Sequence, residues 1–361
     1  MINRKTNLFQ MLNYKNWILN EGGWSSMKTQ GVKITPTVLK TADTYVKELF
    51  SAFESWMKKN YPDTAPLKAI RPVGSGIYYE KDIEEDPNKV YGDIDYLIEY
   101  PVFADAPDPR KAETEAVRFY NRELFHFLKE TNYKGIDIQD SKGADGAGVV
   151  LIAEVDKDVF IQVDFVVTHA QYLDWALDRF TPIHNIKGFV SGNLYSAMAD
   201  TLMISMGDRG ARAKLQDGAL VPFKMRKNVE DIAISLNFKT LFADIVKFFM
   251  SLRDGNIQPQ FNSSDIPGID TRNLSLSSIA NGISSLIDVL DRNGLLDGKI
   301  ISYTNAGQMK KAIADAYGAK MAELRNDKKF AKAEDPMALA ARDKIFKVSQ
   351  DSENEVKSIL K

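Results

Sequence analysis

The sequence predicts an α+β fold: a mixed sheet flanked by helices, followed by a mainly helical C-terminal region. Three observations carry that expectation. Residues 35–59 place apolar side chains at helical spacing, and short β-branched and aromatic runs bounded by turn formers recur up to about residue 168. Beyond about residue 182 the 3.6-residue period takes over. The expected organisation is an N-terminal arm at 1–34, an α/β domain at 35–182 and a helical region at 183–361.

Residues 1–34, with Gly22-Gly23 and few periodic positions, suggest an arm or short elements. Thr35 stands where an N-cap belongs and Pro36 at the first helical position. Val38, Leu39, Ala42, Tyr45, Val46, Leu49, Phe53, Trp56 and Met57 then form one stripe, which predicts a core-packing helix. Next come a short strand and turn in 68-KAIRPVGSG-76, and a strand in 90-VYGDIDYLIEYP-101 stopped by Pro101. The spacing in 110–131 is helical. Strands are expected at 148–155 and 159–168, joined by a hairpin turn at Asp156-Lys157-Asp158, with a loop over 141–148 before them. Helical patterns follow at 193–206, 239–253, 275–292, 308–326 and 335–360, interrupted by a Pro- and Gly-containing loop at 254–268.

Composition narrows the function. Over 361 residues, 44% are apolar and 27% charged, as in a water-soluble globular protein. A net charge of -2 argues against a surface built throughout for nucleic acid and leaves room for a local basic groove. The absence of cysteine excludes disulfides, zinc–thiolate sites and cysteine nucleophiles, and fits a reducing compartment. No stretch has the apolar length of a signal peptide or a membrane span, so a cytoplasmic protein is expected. With His126, His169 and His184 as the three histidines, any mechanism must lean on carboxylates.

Those carboxylates sit in unusual places. Side chains alternate along a strand, so Asp93 and Asp95 project to one side, roughly 7 Å apart, while Ile94, Tyr96 and Ile98 face the other way. A buried carboxylate is costly unless it is paired or coordinates a cation, and hard cations such as Mg²⁺ prefer oxygen ligands. A second Asp-x-Asp pair, Asp156 and Asp158, is explained by turn chemistry. Asp164, inside 160-FIQVDFVV-167, is not: it is either a satisfied structural carboxylate or, if its strand neighbours the first, the third member of a pocket with Asp93 and Asp95. The triplet Gly74-Ser75-Gly76 lets backbone approach a ligand closely and can hold a phosphate, but it fits neither a P-loop nor a dinucleotide fingerprint.

Taken together, a Gly-Ser turn after a strand, a strand-borne Asp-x-Asp and a later strand-borne Asp resemble the nucleotidyltransferase superfamily of DNA polymerase beta, poly(A) polymerase, CCA-adding enzymes and oligoadenylate synthetases. The resemblance covers about residues 39–170, and more loosely the whole chain looks like nucleotidyltransferase-like proteins encoded by bacteriophages. One departure is the gap of sixteen residues between Gly76 and Asp93, longer than is usual in the family; the insert EKDIEEDPNK accounts for it.

The resemblance implies a nucleotidyltransferase catalytic domain at 35–182 and two Mg²⁺ ions, with Mn²⁺ as an alternative. Asp93 and Asp95 would hold both metals and a nucleoside triphosphate, and Asp164 would bind the metal that activates the acceptor hydroxyl and take its proton. Ser75, with the backbone of Gly74 and Gly76, would contact the β- and γ-phosphates. The acceptor, an RNA 3′ end, a protein or a small molecule, is not specified by the resemblance. Triphosphate charge needs cations: Lys81, Arg179 and Lys187 are candidates, as is the basic run 209–227, whose bland alternative is a solvated loop. Tyr78, Tyr79, Tyr91 and Tyr96 suit base stacking or core packing equally. Two rival readings are a metal-dependent phosphohydrolase or nuclease using the same carboxylates, and a non-catalytic nucleotide-binding accessory module. If the chain is viral, the compartment is the host cytoplasm.

Overall fold

A computed structural model of the chain describes residues 34–64, 68–73, 76, 79–87, 91, 94–100, 109–133, 137–140, 148–156, 159–180, 188–207, 209–225, 227–255, 266, 268, 274–326 and 336–361. The chain divides into two compact units between Leu173 and Asp174.

The first unit is a five-stranded mixed sheet with helices on one face. Its long helix α1 (Pro36–Asn60) starts as the sequence predicts: the Thr35 hydroxyl accepts from the Val38 N–H at 3.3 Å, Pro36 opens the first turn, and Lys58 and Lys59 sit in the last turn, where the helix dipole favours cations. The strands are β1 (Lys68–Val73), β2 (Ile94–Tyr100), β3 (Asp137–Asp140), β4 (Gly148–Asp156) and β5 (Val159–His169), in the order β1-β2-β5-β4-β3. The β2–β5 pair is parallel and the other pairings are antiparallel. The helices are α2 (Tyr79–Glu85) and α3 (Pro109–Thr131). Alternation along β2 and β5 sends Ile94, Tyr96, Ile98, Ile161, Val163 and Phe165 into one core with Leu39, Val46, Leu49, Phe53 and Met57 of α1 and Tyr120, Leu124 and Phe127 of α3. Phe50 meets Phe165 edge-on with centroids 5.2 Å apart, and Phe53 lies 5.5 Å from Phe127.

The second unit is mixed as well. Helices α4 (Leu173–Phe180) and α5 (Gly188–Thr201) lead into β6 (Ile204–Gly207), β7 (Gly210–Gln216), β8 (Ala219–Val221) and β9 (Glu230–Ser235). Strand β7 pairs antiparallel with β6, β8 and β9. Helices α6 (Leu241–Asp254), α7 (Leu276–Arg292), α8 (Ala306–Arg325) and α9 (Pro336–Ile359) complete it. These last four match the spacing in the sequence closely, and α7 and α8 are capped by Ser275 and Asn305. Where α7 passes α6, a Cβ on Gly282 would come within 2.7 Å of the Phe242 ring, so the close approach needs glycine there.

Two expectations are corrected in this unit. The helix expected to run to residue 206 ends at Thr201, and Met203 takes a left-handed φ of 54° that turns the chain into β6. The basic run 209–227 is not a solvated loop but holds β7 and β8. Ala211, Ala213 and Leu215 are buried while Arg212 and Lys214 alternate outward, a period of two too short to stand out against the helical patterns around it. Two elements were not anticipated in the first unit: strand β3, and helix α2 inside the insert between Gly76 and Asp93. The loop expected over 141–148 falls, up to residue 147, outside the described residues, as does most of 254–268.

Candidate active site

The core side of β2 and β5 is taken by aromatic and β-branched side chains, so the alternate positions face away from α1 and α3. Asp95 and Asp164 occupy those positions. They are direct register partners on adjacent parallel strands and both are half-buried. Neighbouring strands lie about 4.8 Å apart, so the two carboxylates start from Cα atoms at roughly that distance on one face. Two carboxylates so placed offer oxygen donors from neighbouring strands at one level. An oxygen-only donor set of this kind suits a hard divalent ion such as Mg²⁺ or Mn²⁺ better than a softer metal.

The same row extends to the other neighbours. Val73, the last residue of β1, is the partner of Asp95, and Val150 of β4 is the partner of Asp164. The chain therefore leaves β1 for the Gly74-Ser75-Gly76 triplet at the level of Asp95. Gly76 is buried against α1, where an added Cβ would stand 3.4 Å from Leu39 Cδ1. Gly74, Ser75 and Asp93 themselves lie outside the described residues, as does Lys187. Among the described residues no group of three or more histidine or acidic side chains forms a metal cage, so Asp95 and Asp164 are the part of the expected triad that the structure brings together.

Of the expected phosphate-binding cations, Lys81 sits on α2, half exposed, and pairs with Glu85 one turn on at 3.4 Å. Arg179 belongs to α4, with its side chain outside the described residues. In the basic run, Arg212 is committed to Asp231 at 2.7 Å, and Lys214 donates to the Met225 carbonyl while lying over the Phe223 ring.

The tyrosines have a different job from base stacking. Tyr79, Tyr91 and Tyr96 are buried and their hydroxyls are spent on carboxylates: Tyr79 and Tyr96 each donate to Asp43 at 3.1 Å, and Tyr91 donates to Asp82. Burial, with the neighbouring carboxylate charge, pushes all three phenols above their ordinary range, which keeps them neutral donors. Tyr78 lies outside the described residues.

Asp43 was overlooked in the sequence, and a signal for it existed. It falls on the stripe of Leu39, Val46 and Phe50 at spacings of four, seven and eleven from Leu39. A carboxylate on an apolar helical stripe carries the same warning as Asp164 inside an apolar strand. It is 4% exposed and also accepts from Lys47 at 2.6 Å.

No protein-family model matches the chain, and no curated protein does. Among solved structures it is similar to two of polymerase beta from Leishmania infantum. To a ternary gap complex it has 14% identity and a TM-score of 0.32, over 50% of this chain and 51% of that one. To a ternary P/T complex it has 14% identity and a TM-score of 0.32, over 57% of this chain and 73% of that one. The chain thus spans about half the length of the first polymerase. Among the described residues, no helix is long and apolar enough to cross a membrane.

Proposed function

We propose that this chain is a nucleotidyltransferase that moves a nucleoside monophosphate from a nucleoside triphosphate to an acceptor hydroxyl and releases pyrophosphate. The observation that carries the reading is the side-by-side placement of Asp95 and Asp164 on the face of β2 and β5 turned away from α1 and α3, next to the strand end that leads into Gly74-Ser75-Gly76. In this reading Asp95 and Asp164, with Asp93, hold Mg²⁺ or Mn²⁺, which when bound neutralises phosphate charge and lowers the pKa of the acceptor hydroxyl. Asp164 takes the acceptor's proton as its oxygen attacks the α-phosphorus. The bond from that phosphorus to the β-phosphate bridging oxygen breaks, and pyrophosphate carries the electron pair away. Ser75 and the flanking glycine backbone hold the β- and γ-phosphates.

Lys81 is suited to join them. Its present partner is a solvent-exposed carboxylate, and such pairs are worth about 0–1 kcal/mol, so a triphosphate competes easily for the ammonium. The acceptor class extends to RNA 3′ ends, protein hydroxyls and small molecules, and the reaction belongs to a cytoplasm, the host's if the chain is phage-encoded.

Incubation with α-labelled nucleoside triphosphates, Mg²⁺ and cell extract tests this. Label should appear on an acceptor with stoichiometric pyrophosphate, and Asp95→Asn and Asp164→Asn should each lower the rate by roughly 10²–10³-fold while melting like the wild type. Release of free nucleoside monophosphate with no labelled acceptor would favour hydrolysis, and transfer indifferent to both substitutions would remove the site from the reaction.

A further inference from the structure

A buried carboxylate is a poor device for gaining stability. Desolvation costs several kcal/mol, and replacing such a group with an apolar side chain of similar volume is often neutral or stabilising. What a buried acceptor does well is fix geometry, because each donor must arrive at a set distance and angle. Asp43 accepts from three donors. Lys47 comes from the same helix, one turn on, with most of its side chain in solvent. The other two arrive from different elements: Tyr79 is the first residue of α2, and Tyr96 lies in β2.

The positions of those two tyrosines are telling. Tyr96 immediately follows Asp95, and alternation turns its side chain to the face covered by α1 and α3 while Asp95 takes the opposite one. Tyr79 comes three residues after Gly76 and two before Lys81. A second tie holds the far end of the same insert. Tyr91 donates to Asp82 of α2, and its N–H bonds the Ile34 carbonyl at 2.9 Å. The insert that lengthens the gap between Gly76 and Asp93 is thus fastened at both ends, and one of those fastenings converges with β2 on Asp43.

We infer that Asp43 is a positioning residue: through Tyr79 and Tyr96 its carboxylate holds helix α2, with Lys81, in fixed relation to the strand that carries Asp95, and so sets the geometry in which the triphosphate is bound. This rests on the nucleotidyl-transfer reading above. Asp43 itself touches no substrate, because it is buried beneath the sheet on the face away from Asp95.

The test measures binding of Mg²⁺ with each of the four nucleoside triphosphates by calorimetry, at a temperature where every variant is folded, together with hydrogen exchange across residues 79–100. Asp43→Ala and Tyr79→Phe should each weaken triphosphate binding about tenfold, a usual size for coupling between groups that act through one another. They should also speed exchange in α2. Asp43→Asn, which keeps the shape and one acceptor oxygen, should recover part of the affinity. Lower melting temperatures with unchanged affinity in all three variants would overturn the proposal and leave Asp43 a stabilising group alone. Wild type and Asp95→Asn binding triphosphate equally would instead overturn the nucleotide reading, and this proposal with it.

Discussion

In the first unit, the buried carboxylates of Asp43, Asp82 and Glu123 each accept from a tyrosine hydroxyl outside their own helix, and Asp43 and Glu123 also pair with Lys47 and Arg122 of their own helices. Tyr79 and Tyr96 serve Asp43, Tyr91 serves Asp82, and Tyr61 serves Glu123 at 2.7 Å. In the second unit, Glu353 of α9 is instead tied to Arg325 of α8 at 2.6 Å and to Lys357 of its own helix at 2.6 Å. Arg212 and Asp231 link β7 to β9 in the same ionic way. There Tyr195 lies wholly in the apolar core, its ring 5.2 Å from Phe238 and its hydroxyl without a hydrogen-bond partner among the described residues. Neutral phenol donors make short, directional bonds to these carboxylates. Despite burial, the hydrogen bonds from Tyr61 and Arg122 hold the Glu123 carboxyl below its ordinary value, so both kinds of link weaken as the carboxylates protonate. Ion pairs add a second charge and are less directional. The unit built on the first kind of link is the one that must hold Asp95 and Asp164 in place, and the unit built on the second is the one in which helices stack on a common core.

The largest expected effect ignores links and removes packing. Phe53 is fully buried between α1, α3 and the sheet, and Phe53→Ala should cost about 3–5 kcal/mol in denaturant unfolding, with exchange protection lost across that layer. A cost comparable to a surface substitution would mean that the aromatic layer does not carry the first unit.

A smaller effect sharpens the contrast through pH. Burial raises the pKa of the Glu353 carboxyl, but hydrogen bonds from Lys357 and Arg325 outweigh it and leave the group below its ordinary value. Its folded pKa is therefore below the unfolded one, near 4.3. The stabilisation is complete above that pH and is lost as pH falls through the folded value. Glu353→Gln should be less stable than wild type by about 1–3 kcal/mol at pH 7. The gap should narrow as the pH is taken below 4, which parallel urea titrations would reveal; a gap independent of pH would show that shape, not charge, joins α8 to α9.

The smallest effect is the most discriminating for tyrosine. Tyr195→Phe removes a hydroxyl with no hydrogen-bond partner among the described residues, so its stability should stay within about 0.5 kcal/mol of wild type or rise. Tyr61→Phe, which removes the hydroxyl donor to a carboxylate only 1% exposed, should cost about 1–2 kcal/mol by thermal melting. Equal costs for the two substitutions would dissolve the distinction between the units.

Much of the local structure was legible. Thr35-Pro36 and the stripe behind it gave α1 to within a residue, β4 and β5 pair antiparallel from Asp156 and Val159 onward, and four C-terminal helices match their spacing. What misled was competition between periods. The three-residue alternation Ala211, Ala213, Leu215 lies between helical patterns, and α2 is seven residues hidden in a charged insert. Of the candidate site, Asp95 and Asp164 were singled out because a charge within an apolar strand demands a reason. Asp43 poses the same question, but on a helix one carboxylate at a core spacing is masked by the apolar residues four positions before it and three after, Leu39 and Val46.

By itself the sequence determined which segments are helices and strands and which face of each is apolar, since both follow from steric and hydrophobic preferences repeating over a few neighbouring residues. Tertiary structure alone decided that β2 lies parallel beside β5 in the register that sets Asp95 against Asp164, and that two tyrosines from separate elements meet on Asp43. The physical reason is range: a period of two fixes the side to which an aspartate points, but the choice of partner strand and register depends on contacts between residues some seventy positions apart, which no local pattern encodes.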